Sequence, residues 1–393
     1  MARSSALTAV ETTGDPRYAA ALTVPEGFLD ALAVRGIGEG VQAPSVRHTF
    51  SMPMIGTMEV SIHATIIGTS FALKPENEGR LHATITALGD IEWHDQTDEE
   101  GAISDTEEPI RVVGEVLVRP TGVHGPGRSF TAGLDVDGAE LLSLRIEDTS
   151  RDQIDEDVAR AHAQMNEMVL ATMGEDLFEL LKAKMDDVSV TVEGPVAEVL
   201  GELGIDEGHA DIEVCDGYLL VCLTTTDDIG GGAMAVPAAG TSVGVGIATA
   251  GLAGLVSRLG EQAIGDVPLP FDLDLDFDHE RIAGRVRNAR LFSDRVPDLR
   301  SGLRYTVRPS LVNGHLEMRL EEAWLDLPAA FPQGLNRLNR RIGALVGRFP
   351  LTFRLPTSAT VPVRPDSEDT MTLTLRELRL SETSVGAVVD TDL

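Results

Sequence analysis

The residues with the most regular spacing for chemistry are the four aspartates of Phe271 to Asp278 (FDLDLDFD), which alternate with apolar residues. Carboxylates two residues apart point to one face of a strand, where they could gather Ca²⁺. A calcium loop that begins at Asp272 would need a glycine where Phe277 stands and a carboxylate where Ala283 stands. We therefore interpret this stretch as a half-buried strand with a solvated acidic face, and we predict no metal site.

Motifs for catalysis or cofactor binding are incomplete in this sequence. The glycine-rich stretches 36–40 and 244–251 are similar to dinucleotide-binding loops, but neither is a full G-x-G-x-x-G after a clear strand. No G-x-x-x-x-G-K-S/T, H-E-x-x-H or G-x-S-x-G motif occurs, and the nine histidines are scattered without metal-ligand spacing. We expect a protein that is not an enzyme and has no cofactor. An enzyme whose groups converge only in space stays as a third hypothesis.

The two cysteines, Cys215 and Cys222, bracket the sequence CDGYLLVC. Its Asp216-Gly217 dipeptide is typical of a two-residue hairpin turn. In that register Cys215 pairs with Tyr218 and Cys222 pairs with Asp211, so the sulfurs lie several rungs apart. Because a disulfide needs Cα atoms within about 7 Å of each other, we predict two free thiols.

Net charge and apolar segments limit the partners and the location. The chain of 393 residues has 63 acidic and 32 basic residues, and its net charge of −31 repels nucleic acid and anionic lipid headgroups. The N-terminus has no apolar core of signal-peptide length. The uncharged run from Ala233 to Ser257 contains Pro237 and many glycines, which favours a buried helix over a membrane span. We expect a soluble, cytoplasmic protein that binds neither nucleic acid nor, strongly, anionic membranes.

One long helical pattern extends from Ile154 to Asp187. Apolar residues recur in it at three- and four-residue spacing, and the helix would be about 50 Å long. Past Gly174 the apolar stripe moves around the axis, which predicts a kink at that glycine. The helix carries several methionines, whose adaptable side chains suit both a binding surface and gaps in a core.

Periodicity elsewhere divides the chain into two modules. Each half has the same order of a helix, antiparallel strands, another helix and further strands. The glycines of Asp227 to Gly232 (DDIGGG) indicate a linker. The predicted organisation is a flexible arm at 1–23, a first module at 24–229, a glycine linker at 230–232 and a second, smaller module at 233–393. The predicted shorter helices are 25–34, 246–264 and 334–346.

These features resemble the tubular lipid-binding (TULIP) superfamily, which includes bactericidal/permeability-increasing-like proteins and bacterial P47-like proteins. The resemblance rests on the 154–187 helix followed by HADIEVCDGYLLVCL, on GLVSRLGEQAIGDVPLPFDLDLDF, and on FPLTFRLPTSATVPV with TMTLTLRELRL. It implies an α+β fold, mostly antiparallel β, with two modules that each pack a long amphipathic helix on a highly curved antiparallel sheet. It also implies a channel between helix and sheet for an acyl chain. The charge of −31 fits a neutral lipid better than lipopolysaccharide.

Our leading hypothesis is therefore non-enzymatic binding or carriage of an elongated apolar ligand, such as a lipid or an acyl chain. The alternative is a structural or assembly protein that uses the same scaffold with filled channels and binds a protein partner or copies of itself. The predicted ligand-lining residues of the first module are Met165, Met168, Val169 and Leu177. Those of the second module are Leu252, Leu255, Leu338 and Ile342.

Overall fold

The computed structural model describes most of the chain. The described residues are 18–37, 40–42, 45–52, 56–95, 106–125, 129–148, 167, 171, 174–175, 178–179, 190–192, 210–224, 232–249, 252, 272–278, 280–290, 300–326, 332–348, 352–362 and 370–393. Within them the chain forms nineteen strands in three antiparallel sheets, together with two α-helices that have defined ends.

The first half of the chain contributes ten strands and one of these helices. In chain order they are β1 (Tyr18–Pro25), α1 (Glu26–Ile37), β2 (Val41–Gln42), β3 (Val46–Met52), β4 (Gly56–Ala72), β5 (Leu81–Asp95), β6 (Thr106–Gly125), β7 (Ser129–Asp148), β8 (Val190–Val192), β9 (Ala210–Cys215) and β10 (Tyr218–Thr224). A 3₁₀ turn, Pro75–Asn77, lies between β4 and β5.

The second half contributes nine strands and the other helix. In chain order they are β11 (Val243–Ala248), β12 (Asp272–Asp278), β13 (Arg281–Arg290), β14 (Arg300–Val312), β15 (His315–Asp326), α2 (Pro332–Arg348), β16 (Thr352–Pro356), β17 (Ser358–Pro362), β18 (Thr370–Leu380) and β19 (Ser384–Thr391).

The N-terminal sheet, as we call it, has the strand order β2-β4-β5-β6-β7-β8, and β3 pairs with β4 beside β2. Alternation of side chains buries one face of its long central strands. On β4, for example, Val60 and Ile62 are buried whereas His63 is partly exposed. The largest core of the described residues lies on the buried face. Its fully buried members are Val46, Val60, Ile62, Ile66, Ile85, Ala87, Ile91, Ile110, Val112, Val116 and Ile146.

The shared sheet has the order β17-β18-β19-β11-β1-β10-β9 and draws on both halves of the chain. Strands β1, β9 and β10 precede the predicted linker at 230–232, and the other four follow it. The pairing of β1 with β11 joins the two sets. The division into modules at 24–229 and 233–393 stays a prediction, but strands from both sides of the linker form one continuous sheet.

Residues 232–241, which we call the strap, lie across β11 and β19 without regular secondary structure. The strap is held by Ala233 N, which donates to Tyr18 O at 2.9 Å, and by Met234 N, which donates to Ser384 Oγ at 2.8 Å. A Cβ on Gly246 would overlap the carbonyl oxygen of Met234. Glycine is therefore required on β11 because backbone crosses directly over it.

The C-terminal sheet has the order β12-β13-β14-β15-β16, and α2 covers its β15 edge. Strand β16 pairs with β15 only from His315 to Arg319, so the described strands leave the edge uncovered at Leu325. There the buried Asn339 of α2 accepts from Leu325 N and donates from Nδ2 to Leu325 O, both at 2.9 Å. One amide side chain thus replaces the hydrogen bonds of a missing strand.

Helix α1 packs on the end of β4 through its acidic side chains. Asp30 Oδ1 accepts from Phe71 N at 2.7 Å and Glu26 Oε1 accepts from Leu73 N at 2.5 Å. The predicted helix at 25–34 is confirmed with slightly different ends. The predicted helix at 334–346 is likewise confirmed as α2.

The predicted fold class is wrong in its main architectural element. The described residues are mostly antiparallel strands, and the helices with defined ends have only 12 and 17 residues. The described fold is therefore not built from a long amphipathic helix on each of two sheets. The predicted helix at 246–264 is also wrong at its start, because 246–248 belong to β11. Both errors arose from local periodicity, which shows apolar spacing but not which backbone lies alongside.

Most of the predicted 154–187 helix lies outside the described residues. Its described members, Glu167, Ala171, Gly174, Glu175, Phe178 and Glu179, are helical. Phe178 packs against the core of the N-terminal sheet, and a Cβ on Gly174 would lie 4.0 Å from Leu144 Cδ2. Among the described helices, none has both the length and the apolar composition needed to cross a bilayer.

Candidate functional site

The candidate apolar site lies along β7, at the margin of the core of the N-terminal sheet. The residues at the centre of that core are at most 8% exposed. The residues packed around it are also apolar but only partly buried, so they form an accessible border. On β7 and beside it these border residues are Leu134, Ala139, Leu141, Leu144 and Phe178.

The outer edge of β7 is paired by the described strands over only a short length next to this border. Strand β8 pairs with β7 only over Phe130, Thr131 and Ala132. Within the described residues, no strand pairs with the same edge from 133 to 148. We call the apolar border residues together with this edge the β7 margin. It combines partly buried apolar side chains with a length of β7 backbone that no described strand pairs with.

Two irregularities in the pairing of β6 with β7 shape the β7 margin. At the first, Asp135 Oδ1 accepts from Gly138 N at 3.1 Å, so Asp137 and Gly138 lie in a local turn inside one strand. At the second, Leu142 is displaced from the ladder and is 46% exposed, whereas Leu141 and Leu144 on either side pack on the core. A bulge of this kind re-aims side chains within a strand.

A polar pocket of about 520 Å³ lies at the opposite edge of the N-terminal sheet. It occurs where β2 has ended and β3 has not begun, so neither strand pairs with His63 or Ala64 of β4. Gly89 of β5 faces Ala64, and a Cβ there would overlap the carbonyl oxygen of His63. The lining residues are Gln42, His63, Ala64, Thr65, Leu88, Gly89 and Asp90.

His63 of this pocket, and His94 and His82 elsewhere on β5, lie close to glutamates. His63 Nε2 lies 3.7 Å and His94 Nε2 lies 3.4 Å from the same Glu92 Oε2. His82 Nε2 lies 3.6 Å from Glu115 Oε2, and Glu115 also pairs with Arg145. In the part of the chain that the structure describes, no group of three His, Cys, Asp or Glu side chains converges well enough to hold a metal ion.

The cysteine hairpin forms as predicted, and both thiols are free. Burial, and after it the charges of Asp211 and Glu213, raises the pKa of Cys222 to about 12. Burial also raises the pKa of Cys215, although a hydrogen bond with Tyr218 opposes the shift. A thiol whose pKa is raised is protonated at neutral pH, which makes it a poor nucleophile.

The predicted acidic strand is confirmed as β12. Phe277 is buried, and Asp276 and Asp278 on either side are exposed. The register places Asp278 opposite Arg281 on β13. The sequence analysis missed this cross-strand arginine because strand pairing is not visible in one segment alone.

The structure separates the predicted ligand-lining residues into two groups. Met165, Met168, Val169, Leu177 and Leu255 lie outside the described residues. Leu252 is helical and half-buried, Ile342 is half-buried, and Leu338 is 43% exposed on α2. Their role in binding stays a prediction. The sequence analysis missed the β7 margin, since the step from Leu141 to Leu144 breaks strand alternation and only the bulge explains it.

Comparisons with known proteins add a coarse resemblance. No family model matches the chain, and no curated protein matches its sequence. Among solved structures, the chain is similar to one titled "Crystal structure of lipopolysaccharide binding protein", with 12% sequence identity over 96% of this chain and 99% of that chain. The TM-score of this superposition is 0.34. A likeness at this level gives no basis for transferring a fold or a function.

Proposed function

We propose that this protein binds an elongated apolar ligand, such as a lipid or an acyl chain, along the β7 margin without catalysing a reaction. The observation that carries the proposal is the row of partly buried apolar side chains beside a filled core, along a strand edge that no described strand pairs with from 133 to 148. The sequence resemblance to tubular lipid-binding proteins favours the same class of ligand. Membership of that superfamily is part of the proposal.

The dimensions of the β7 margin suit an extended ligand. Leu134 pairs with Pro120 and Leu144 pairs with Gly114 on β6, so the two leucines are separated by six residues of β6, or about 20 Å of strand. Each methylene that an acyl chain buries there would contribute about 0.8 kcal/mol. A run of ten such groups would therefore contribute about 8 kcal/mol, which exceeds the lower values for the cost of association, about 4 kcal/mol.

The polar pocket lies apart from the β7 margin, at the opposite edge of the N-terminal sheet. His63 is on the partly exposed side of β4, and its neighbour Ile62 points into the core. His63 and His94 both contact Glu92. This separation of polar from apolar groups supports binding without chemistry.

Lipid mass spectrometry of a solvent extract from purified protein tests the proposal, together with uptake of a fluorescent fatty acid. We expect co-purified lipid and saturable uptake. Leu141→Gln and Leu144→Gln should weaken uptake about tenfold or more, because each places an amide in the apolar border. Leu142→Gln is the matched control, since it changes the exposed leucine between them, and it should leave uptake unchanged.

A clean extract combined with no uptake by the wild-type protein would refute ligand binding. Uptake that responds equally to Leu142→Gln and Leu144→Gln would place the ligand elsewhere on the molecule.

A second candidate is a structural or assembly protein that uses a filled scaffold. The observation that favours it is the tight burial of the core, in which Val60 and Val116 are fully inaccessible and Ile62 is 1% exposed. This candidate predicts a clean extract together with a defined oligomer or a protein partner on a sizing column. Co-purified lipid that is lost in Leu144→Gln would exclude it.

A further inference from the structure

Helix α2 is strongly basic in a strongly acidic protein. Its sequence, PQGLNRLNRRIGALVGR, contains four arginines and no acidic residue, whereas the whole chain has a net charge of −31. The arginines at 337, 340 and 341 are exposed. This short surface element therefore carries a local excess of positive charge.

The arginines of α2 differ from those of the strands in their contacts. Strand arginines form ion pairs with acidic side chains, such as Arg354 with Glu317 at 2.7 Å and Arg376 with Asp390 at 3.6 Å. Within the described residues, no acidic side chain pairs with Arg337, Arg340 or Arg341. Their side chains are exposed, and none of the described acidic side chains neutralises their charge.

Two leucines accompany these arginines on the solvent side of α2. Leu338 is 43% exposed and Leu345 is 60% exposed. They are seven residues apart and lie on the same side of the helix, with Arg341 between them at three- and four-residue spacing. An exposed leucine pair interleaved with unpaired arginines combines apolar and cationic contacts on one surface.

The orientation of α2 is determined by its opposite side. Asn339 is 1% exposed and bonded to Leu325, and Val346 is 4% exposed. Rotation that buried Leu338 and Leu345 would break both hydrogen bonds of Asn339. The exposure of the leucines therefore follows from how the helix is anchored on the C-terminal sheet.

We propose that the solvent side of α2, formed by Arg337, Leu338, Arg340, Arg341 and Leu345, docks on an anionic lipid surface. Exposed leucines can enter the headgroup boundary while arginines contact the lipid phosphates. The overall charge of −31 does not prevent this, because charges beyond a Debye length of about 8 Å are screened at physiological salt. Polyanions such as nucleic acid would gain little from the leucines, which favours a lipid surface.

This docking surface is separate from the β7 margin, so either proposal can fail without the other. The test is sedimentation of the full-length protein with phosphatidylcholine vesicles, with and without 30% phosphatidylserine. We expect binding only to the anionic vesicles, and weaker binding as salt is raised. The triple variant Arg337→Gln, Arg340→Gln, Arg341→Gln should lose about fivefold in partitioning for each arginine.

The matched control is Arg308→Gln, Arg354→Gln, Arg376→Gln, which makes the same change in net charge at ion-paired strand positions. It should bind vesicles like the wild type. The double variant Leu338→Ser, Leu345→Ser should lose about tenfold, because it removes the apolar contact and keeps the charge. Circular dichroism should show that the variants remain folded, since all these α2 positions are exposed.

Three results would overturn the proposal. The first is wild-type binding that is absent or equal for neutral and anionic vesicles. The second is equal weakening by the two triple variants, which would indicate a general charge effect. The third is an interaction with heparin or with a second copy of the chain, lost in the α2 triple variant, without vesicle binding. That result would assign α2 to a polyanion or to a dimer.

Discussion

The N-terminal and C-terminal sheets are both antiparallel, but different interactions hold them together. In the N-terminal sheet, eleven apolar side chains are at most 8% exposed and form one cluster. In the C-terminal sheet, Phe277 is the buried hydrophobic residue among the described strand side chains, and α2 is attached through a buried asparagine. Charged side chains of different strands also form ion pairs in this sheet, such as Arg281 with Glu321 at 3.1 Å.

The difference shows where folding free energy is concentrated. Full burial of a valine or isoleucine side chain contributes about 1.5–3 kcal/mol. An exposed ion pair contributes about 0–1 kcal/mol. We therefore expect the N-terminal sheet to dominate stability, while the C-terminal sheet depends on a few specific contacts.

The largest expected effect is a cavity in the N-terminal core. Ile62→Ala should lower the free energy of unfolding by about 3–4 kcal/mol, because Ile62 is 1% exposed and its neighbours cannot collapse into the gap. Ile282→Ala on β13 is the matched control, since Ile282 is half-buried. It should cost about 1–2 kcal/mol. Denaturant unfolding followed by circular dichroism measures both, and equal losses would contradict the comparison.

The next effect concerns the polar anchor of the C-terminal sheet. Asn339→Ala should lower stability by about 2–3 kcal/mol, because Leu325 N and Leu325 O would lose their partner in a buried site. Asn339→Asp should be at least as damaging, since a carboxylate cannot donate to Leu325 O and its charge would be buried. Asn336→Ala, on the exposed side of α2, is the control. An unchanged stability of Asn339→Ala would show that water replaces the amide.

A smaller effect is expected where an aromatic ring covers a glycine. Gly284 and Tyr305 are direct partners across β13 and β14, and a Cβ on Gly284 would overlap the Tyr305 ring. Gly284→Ala should therefore cost about 1–2 kcal/mol. Burial raises the pKa of Tyr305, so displacement of the ring should bring that pKa back toward its ordinary value.

Ultraviolet titration of the tyrosines measures this change. Gly68→Ala is the control, because a Cβ there would have no neighbour within 4 Å. An unchanged titration in Gly284→Ala would mean that the ring is not held over the glycine.

The smallest effect tests whether the shared sheet behaves like the N-terminal core. Cys222 is buried, and its pKa is raised to about 12 from an ordinary value of 9.0. Between these values the unfolded chain releases the thiol proton and the folded chain keeps it. Folding stability should therefore be fully present below about pH 9 and should fall as pH rises toward 12.

Chemical denaturation between pH 8 and pH 10.5 measures the slope, and Cys222→Ala should make it shallower. Iodoacetamide should also modify Cys222 more slowly than Cys215, because Cys222 is the more deeply buried thiol. Equal alkylation rates would indicate that burial in the shared sheet does not protect Cys222 from the reagent.

Local features of the fold could be predicted from sequence to a useful extent. The hairpin at Asp216-Gly217 forms as expected, and Gly217 has positive φ. Helices α1 and α2 lie within a few residues of their predicted ends. The side of α2 that packs on the sheet was not predicted. Asn339 is buried, whereas Leu338, which was predicted to line a ligand channel, is exposed.

Sequence patterns alone were enough to predict the Asp216-Gly217 turn, the alternating strands, the free thiols and the approximate ends of α1 and α2, because each depends on residues only a few positions apart. Tertiary structure alone decided that β1 pairs with β11, that the strap crosses Gly246, and that a bulge at Leu142 opens an apolar margin. It also decided which side of α2 faces solvent. These features depend on which distant segments of the chain lie next to each other, and the sequence of one segment does not show which segment it pairs with.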